Sequence, residues 1–374
     1  MKKLLLIIVG IVVLFVLIIG ILAWSFKKYV NKEDPNYIVQ FIKENIRNEN
    51  VSLSINFNGQ EWVEVNEKKK LPLASTVKII VAIEYAQQAA EGKIDPAQEI
   101  SLEELNTFYV PKTDGGAHEA WIAQLNKGQE TINVPLSEVA NGMIAFSSNA
   151  NTEYLMNVLG FENINRVPES LGISKHDPLY PIVSVLFVTS QLMNEKNLTQ
   201  EEALEALKSM DLSEYRNRAM EIHKKWLSHP PTNQEKEQLL KMMSMDFQKI
   251  WSDRLPGSTT EDYISIMEKL NSKEYYNKKI HTYLDPVMEQ LMKNPANQEF
   301  LVHVGRKGGS TAFILTNTMY ATDKEGNKTE LAFFSNDLNR LEQAKLSRNL
   351  NGFQLKFLTN AEFRTYVREE LSNL

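Results

Sequence analysis

The chain has 374 residues, 43% of them hydrophobic and 24% charged, the profile of a globular protein with room for one large domain or two small ones. Its net charge of −6 argues against nucleic acid as a partner. It has no cysteine, which excludes disulfides and thiolate metal sites, and its six histidines show no paired metal-ligand spacing, so no metal is expected.

Leu4 to Trp24 carries no charge and is long enough to cross a bilayer. Lys2 and Lys3 precede it and Lys27, Lys28 and Lys32 follow, which does not fix orientation. The run exceeds the usual apolar region of a signal peptide, and no small-x-small cleavage site follows Ala23. An uncleaved signal anchor over 1–28 is therefore preferred to a cleavable leader. A linker and first helix (Tyr37 to Ile46) fill 29–50.

Val51 to Val65 alternates apolar and polar residues about Asn58-Gly59, a hairpin signal. Lys68-Lys69-Lys70 reads as a solvated turn. Ser75-Thr76-Val77-Lys78 then opens an apolar helix that runs to Ala90, with Gly92 as its cap. Residues three apart on a helix share a face, so Lys78 can reach the Ser75 hydroxyl. A serine needs such a base to become a nucleophile, and the helix start favours an anion. The pattern alone is weak, since Ser25-Phe26-Lys27-Lys28 matches it beside the membrane segment. Asp114-Gly115-Gly116 lies in a loop suited to a cleft rim.

Val134 to Phe146 reads as a helix capped by Ser137, and Thr152 to Met156 as another. Ser147-Ser148-Asn149 between them presents a hydroxyl and an amide at an interhelix turn. Ser54-Ile55-Asn56 is a decoy of the same pattern in a strand. Asn194 to Ile250 is polar and helical with a break at Pro230-Pro231, and reads as a helical insertion open either to a partner or to no role. Pro256 to Thr259 starts a further helix. Lys307-Gly308-Gly309-Ser310 leads into a strand (Thr311 to Thr322), a turn (Asp323 to Asn327) and a second strand (Thr329 to Phe334), a hairpin whose glycines allow close backbone approach. Ala361 to Leu371 closes the chain as a helix packed on the sheet. This order predicts an α+β fold, an antiparallel sheet flanked by helices with an all-helical subdomain, preceded by one transmembrane helix.

In this order the three motifs resemble the S-x-x-K, S-D-N and K-T-G set of class A β-lactamases and penicillin-binding proteins. The resemblance runs from about Val51 to the C-terminus, so 51–374 is read as one serine hydrolase domain with the insertion at about 194–250. It implies Ser75 as nucleophile, Lys78 as base and Ser147 as proton relay. It further implies Asn149, Lys307, Gly309 and Ser310 as substrate-binding residues, with the N–H groups of Ser75 and Ser310 as the oxyanion hole. No cofactor is expected. The expected partners are a β-lactam or a peptidoglycan-type peptide and the membrane, with the catalytic domain outside the cytoplasm.

Three departures stand out. Ser148 replaces the aspartate of S-D-N. Gly308 replaces a threonine or serine whose hydroxyl would help hold a substrate carboxylate, with Ser310 or Thr311 as candidates to compensate. The E-x-x-L-N loop that supplies the deacylating glutamate is missing; Glu153 to Asn157 comes nearest but follows Ser-x-Asn directly. The stretch Leu171 to Pro181 reads as a shortened loop with only His176 and Asp177 to titrate, more simply a turn. Slow deacylation is the consequence. The competing reading is an idle anchored scaffold that binds cell-wall peptide or a protein partner.

Overall fold

The computed structural model describes residues 32–126, 132–372 and 374. The proposed anchor at 4–24 and the Ser25 to Lys28 decoy lie outside them. Among the described residues no helix is long and apolar enough to cross a membrane.

Five strands form one antiparallel sheet: β1 (Val51–Phe57), β2 (Gln60–Val65), β7 (Leu301–Ser310), β8 (Leu315–Asp323) and β9 (Lys328–Ser335), in the order β2-β1-β9-β8-β7. Two short pairs add β3 (Leu71–Pro72) with β6 (Gly257–Ser258), and β4 (Glu99–Ser101) with β5 (Asn133–Pro135). The hairpin at Asn58-Gly59 forms as expected. Both residues have positive φ (54° and 72°), which a two-residue turn between twisted strands requires.

Successive side chains of a strand point to opposite faces, and β9 buries both sets. Leu331 and Phe333 join a core with the N-terminal helix α1 (Asn36–Asn45) and two C-terminal helices, Arg340–Thr359 and Ala361–Leu371. Ala332 and Phe334 join the larger core of the helical body. At the centre of that body runs α2 (Lys78–Glu91), packed by helices at Leu136–Ala145, Asn149–Leu159, Phe161–Ser170 and Lys278–Met288.

Two local expectations change. Helix Leu136–Ala145 begins after β5 with Pro135 at its N-cap, so Ser137 sits inside the first turn and caps nothing. The stretch read as a shortened loop, Leu171 to Pro181, is the start of a long excursion. Asp177 donates its N–H to the Gly257 carbonyl (2.8 Å), and its Oδ2 accepts from the Gly257 N–H (2.9 Å). The chain between them makes five helices: Val188–Lys196, Gln200–Ser209, Leu212–Trp226, Asn233–Met242 and Met245–Asp253. It returns through β6, which pairs Leu71 with Ser258 just before the Ser75 turn. An 80-residue departure that returns to its origin is invisible to local pattern.

Candidate active site

Ser75 sits in a 3₁₀ turn (Ala74–Val77) that feeds α2, one turn earlier than a plain helix start. Ala74 before it holds φ at 46°, a left-handed value unfavourable for a residue with a Cβ and of the kind stored at functional sites. Edge strand β7 lies against this turn. A Cβ built on Gly309 would stand 2.4 Å from the Ser75 backbone nitrogen and 2.6 Å from the Leu73 carbonyl oxygen. Glycine at 309 is what lets strand β7 and the Ser75 turn meet.

Lys78 is fully buried. Its Nζ reaches the Ser147 carbonyl (2.6 Å), the Ser147 Oγ (3.1 Å) and the Asn149 Oδ1 (2.8 Å). Burial, reinforced by the charge of Lys307, pushes its pKa well below that of a free lysine, and Asp114 opposes this. A neutral amine donates two protons and accepts one. With its N–H groups on Ser147 O and Asn149 Oδ1, its lone pair is left for a hydroxyl.

The Ser-x-Asn turn is held by sequence-local chemistry. Ser147 adopts φ 72°. Ser148 is the N-cap of helix Asn149–Leu159: its Oγ accepts from the Asn151 N–H (3.2 Å) and donates to the Asn151 Oδ1 (2.9 Å), with His118 Nδ1 at 2.9 Å. A serine thus does the capping work open to an aspartate. Asp114 stands at the turn, accepting from the N–H groups of Asn149 (3.2 Å), Ala117 (3.1 Å) and His118 (3.2 Å). The loop expected at the cleft rim therefore ties the rim to the Ser147-Ser148-Asn149 turn.

Lys307 on β7 is buried, and its pKa falls to about 7 through burial and the neighbouring Arg306. Ser310 is exposed at the end of the strand and lines both cavities that flank Ser75. One, of about 50 Å³, is walled by Ile182, Trp251 and Leu255 from the excursion. The other, of about 230 Å³, runs under Ser147, Gly308 and Gly309 toward Asn317 and Asn351.

Six of the seven residues singled out from sequence thus line the two cavities that meet at Ser75, and the seventh, Lys307, lines neither and donates to the Gly308 carbonyl (3.0 Å). No group of three histidine, aspartate or glutamate residues among the described ones could hold a metal ion. His176 and Asp177 lie elsewhere. His176 bonds the Asp177 carbonyl (2.7 Å) and the Tyr263 hydroxyl (3.1 Å), and Asp177 pairs with Lys70 (2.9 Å) while closing the neck of the excursion. Neither lines a cavity at Ser75.

Residues 36–290 match the β-lactamase enzyme family, well over half of the chain. The chain belongs to that family. It is a serine hydrolase of the β-lactamase type. No curated protein matches it in sequence. Among solved structures it is similar to a class A β-lactamase from Bacteroides cellulosilyticus, with a TM-score of 0.50 at 14% identity over 92% of this chain and 100% of that one. It is likewise similar to a β-lactamase from Sphaerobacter thermophilus, with a TM-score of 0.51 at 15% identity over 85% and 96%. At these identities the likeness is one of fold.

Sequence reasoning missed Glu153 as a structural centre. It is fully buried on the helix that carries Asn149. It accepts from the N–H groups of Val183 (2.6 Å) and Ser184 (3.1 Å) and the Ser184 hydroxyl, and pairs with His223 Nδ1 (2.9 Å). It therefore pins both ends of the excursion's first half to the β-lactamase helical body. The available signal was a glutamate on the apolar side of a helix, which asks for a buried partner.

Proposed function

We propose that the chain is a membrane-anchored, extracytoplasmic active-site-serine enzyme that forms an acyl-enzyme at Ser75 with β-lactams or D-Ala-type cell-wall peptides and releases it slowly. The observation that carries the reading is the buried Lys78 amine, hydrogen-bonded to Ser147 and Asn149 and lining one cavity with Ser75, its proton affinity depressed by burial. Placement of the domain outside the cytoplasm rests on the uncharged run Leu4 to Trp24.

Neutral Lys78 takes the Ser75 proton as its oxygen attacks the substrate carbonyl. The developing oxyanion sits between the N–H groups of Ser75 and Ser310, which the Gly309 approach brings together. Ser147, hydrogen-bonded to Lys78, passes the proton to the leaving nitrogen, and the amide nitrogen of Asn149 holds the substrate's own amide. Lys307 attracts its carboxylate.

Hydrolysis of the ester needs a second base beside an incoming water. The cavity face formed by Ile182, Trp251 and Leu255 is apolar and carries no carboxylate. The acyl-enzyme therefore outlives that of an efficient β-lactamase. The test is intact-mass analysis after exposure to benzylpenicillin: wild-type protein gains one adduct on Ser75, and Ser75→Ala gains none. A Ser75→Ala protein labelled at the wild-type rate refutes the assignment.

A further inference from the structure

The turn that carries Ser147 and Asn149 has no carboxylate of its own, since Ser148 stands where the family has aspartate. A carboxylate is nevertheless built into this end of the cleft from a different part of the chain. Asp114 supplies it, from the loop expected at the cleft rim.

That loop is shaped for the delivery. Lys112, Gly115 and Gly116 hold left-handed φ values (64°, 68° and 85°), and the Thr113 hydroxyl donates to the Val110 carbonyl (2.7 Å). Thr113 lines the smaller cavity with Lys78 and Asn149, so Asp114 is one residue from the cavity wall. Its Oδ1 accepts from the Ala117 N–H (3.1 Å), and its Oδ2 from the N–H groups of His118 (3.2 Å) and Asn149 (3.2 Å). Ala117 and Asn149 are the first residues of two helices, Ala117–Leu125 and Asn149–Leu159. Two helix starts therefore aim free N–H groups and positive dipole ends at one half-buried carboxylate. The second helix does not need it as a cap, because Ser148 already fills that role.

Asp114 thus holds the Asn149 backbone while the Asn149 Oδ1 takes the Lys78 amine (2.8 Å). Two charges act on that amine: Lys307 on β7 favours its neutral form, and Asp114 opposes this. Around Asp114 stand His118, Tyr109 and the exposed Glu119. Burial keeps His118 below the usual histidine range and Tyr109 above the usual tyrosine range, so neither adds charge near neutral pH. We propose that Asp114 is a positioning residue in place of the missing turn aspartate: through the Asn149 backbone it fixes an acceptor of the Lys78 amine, and its negative charge offsets the two lysines of the cleft. This rests on the acyl-enzyme reading above.

Two variants separate the two roles. Asp114→Asn keeps an oxygen for the Asn149 N–H and removes the charge, whereas Asp114→Ala removes both. Second-order acylation by benzylpenicillin methyl ester is followed against pH. The ester lacks the carboxylate that Lys307 attracts, so the acid limb of its profile reports Lys78 losing its proton. Without the negative charge, protonated Lys78 is less favoured, and the limb moves to lower pH by roughly half a unit or more in both variants. The plateau stays within about threefold of wild type in Asp114→Asn. In Asp114→Ala it falls by about tenfold or more, as Asn149 loses its anchor. An unmoved limb in Asp114→Asn is the mark of a merely structural residue. That result, or an unchanged plateau in Asp114→Ala, overturns the inference while leaving the acyl-enzyme reading intact. If Asp114→Ala folds poorly, the limb of Asp114→Asn decides the matter. A wild-type protein acylated by neither benzylpenicillin nor its ester overturns the parent reading and this one with it.

Discussion

Gly309→Ala is the sharpest probe of how the site is built. The added methyl would lie 2.4 Å from the Ser75 nitrogen, 2.6 Å from the Leu73 carbonyl and 2.7 Å from the Thr316 Oγ1. Two of these are backbone atoms, and Thr316 is itself committed to Leu73 O (2.8 Å) and Thr76 Oγ1 (2.8 Å). None can yield freely, so β7 must move away from the Ser75 turn. Overpacking of this kind costs about 1–3 kcal/mol of stability. The same shift pulls the Ser310 N–H from the Ser75 N–H, and loss of one oxyanion donor slows acylation by about 10²–10³-fold. Gly308→Ala is the control on the same strand. Its Cβ would meet the Asn317 Nδ2 at 3.1 Å and the Thr316 carbonyl at 3.3 Å, contacts relieved by a few tenths of an ångström. Stopped-flow acylation with a fluorescent penicillin, beside thermal melts, reads both effects. Acylation by Gly309→Ala within about threefold of wild type, with an unchanged melting temperature, would refute the claim that glycine at 309 sets the oxyanion geometry.

The benzylpenicillin adduct should persist for minutes or longer by mass spectrometry, and steady turnover near 1–10³ s⁻¹, roughly the ordinary enzyme range, would refute the missing-base argument. Glu153→Ala should leave His223 and the N–H groups of Val183 and Ser184 buried without their acceptor, at about 1–3 kcal/mol for each unpaired group. Faster amide exchange across 178–256 would report it, and wild-type protection there would contradict the pinning role. Because the Lys307 pKa is lowered to about 7, that side chain is charged below this pH and neutral above it. Acylation by anionic benzylpenicillin should therefore decline as pH rises past 7, while the methyl ester shows no such limb; parallel profiles for the two would rule Lys307 out as the electrostatic attractor.

The sequence by itself determined whatever is written within a turn or two of chain. Ser75 with Lys78, Ser147 with Asn149 and Lys307 with Gly309 were legible because each pair is local. The Asn58-Gly59 hairpin and the terminal helix Ala361–Leu371 were legible because each carries its own turn or periodicity signal. Tertiary structure decided what those groups face. Lys78 finds Ser147 across 69 residues, and Gly309 meets Ser75 across the fold. The apolar wall at Ile182, Trp251 and Leu255 exists only because β3 pairs with β6 and returns the excursion to Ser75. Asn317 showed one faint signal, in the polar run Thr316-Asn317-Thr318 at the start of a mostly buried strand. Its place in the larger cavity needed the β7–β8 register and a helix beyond β9, because the neighbours of a side chain are fixed by packing rather than by spacing along the chain.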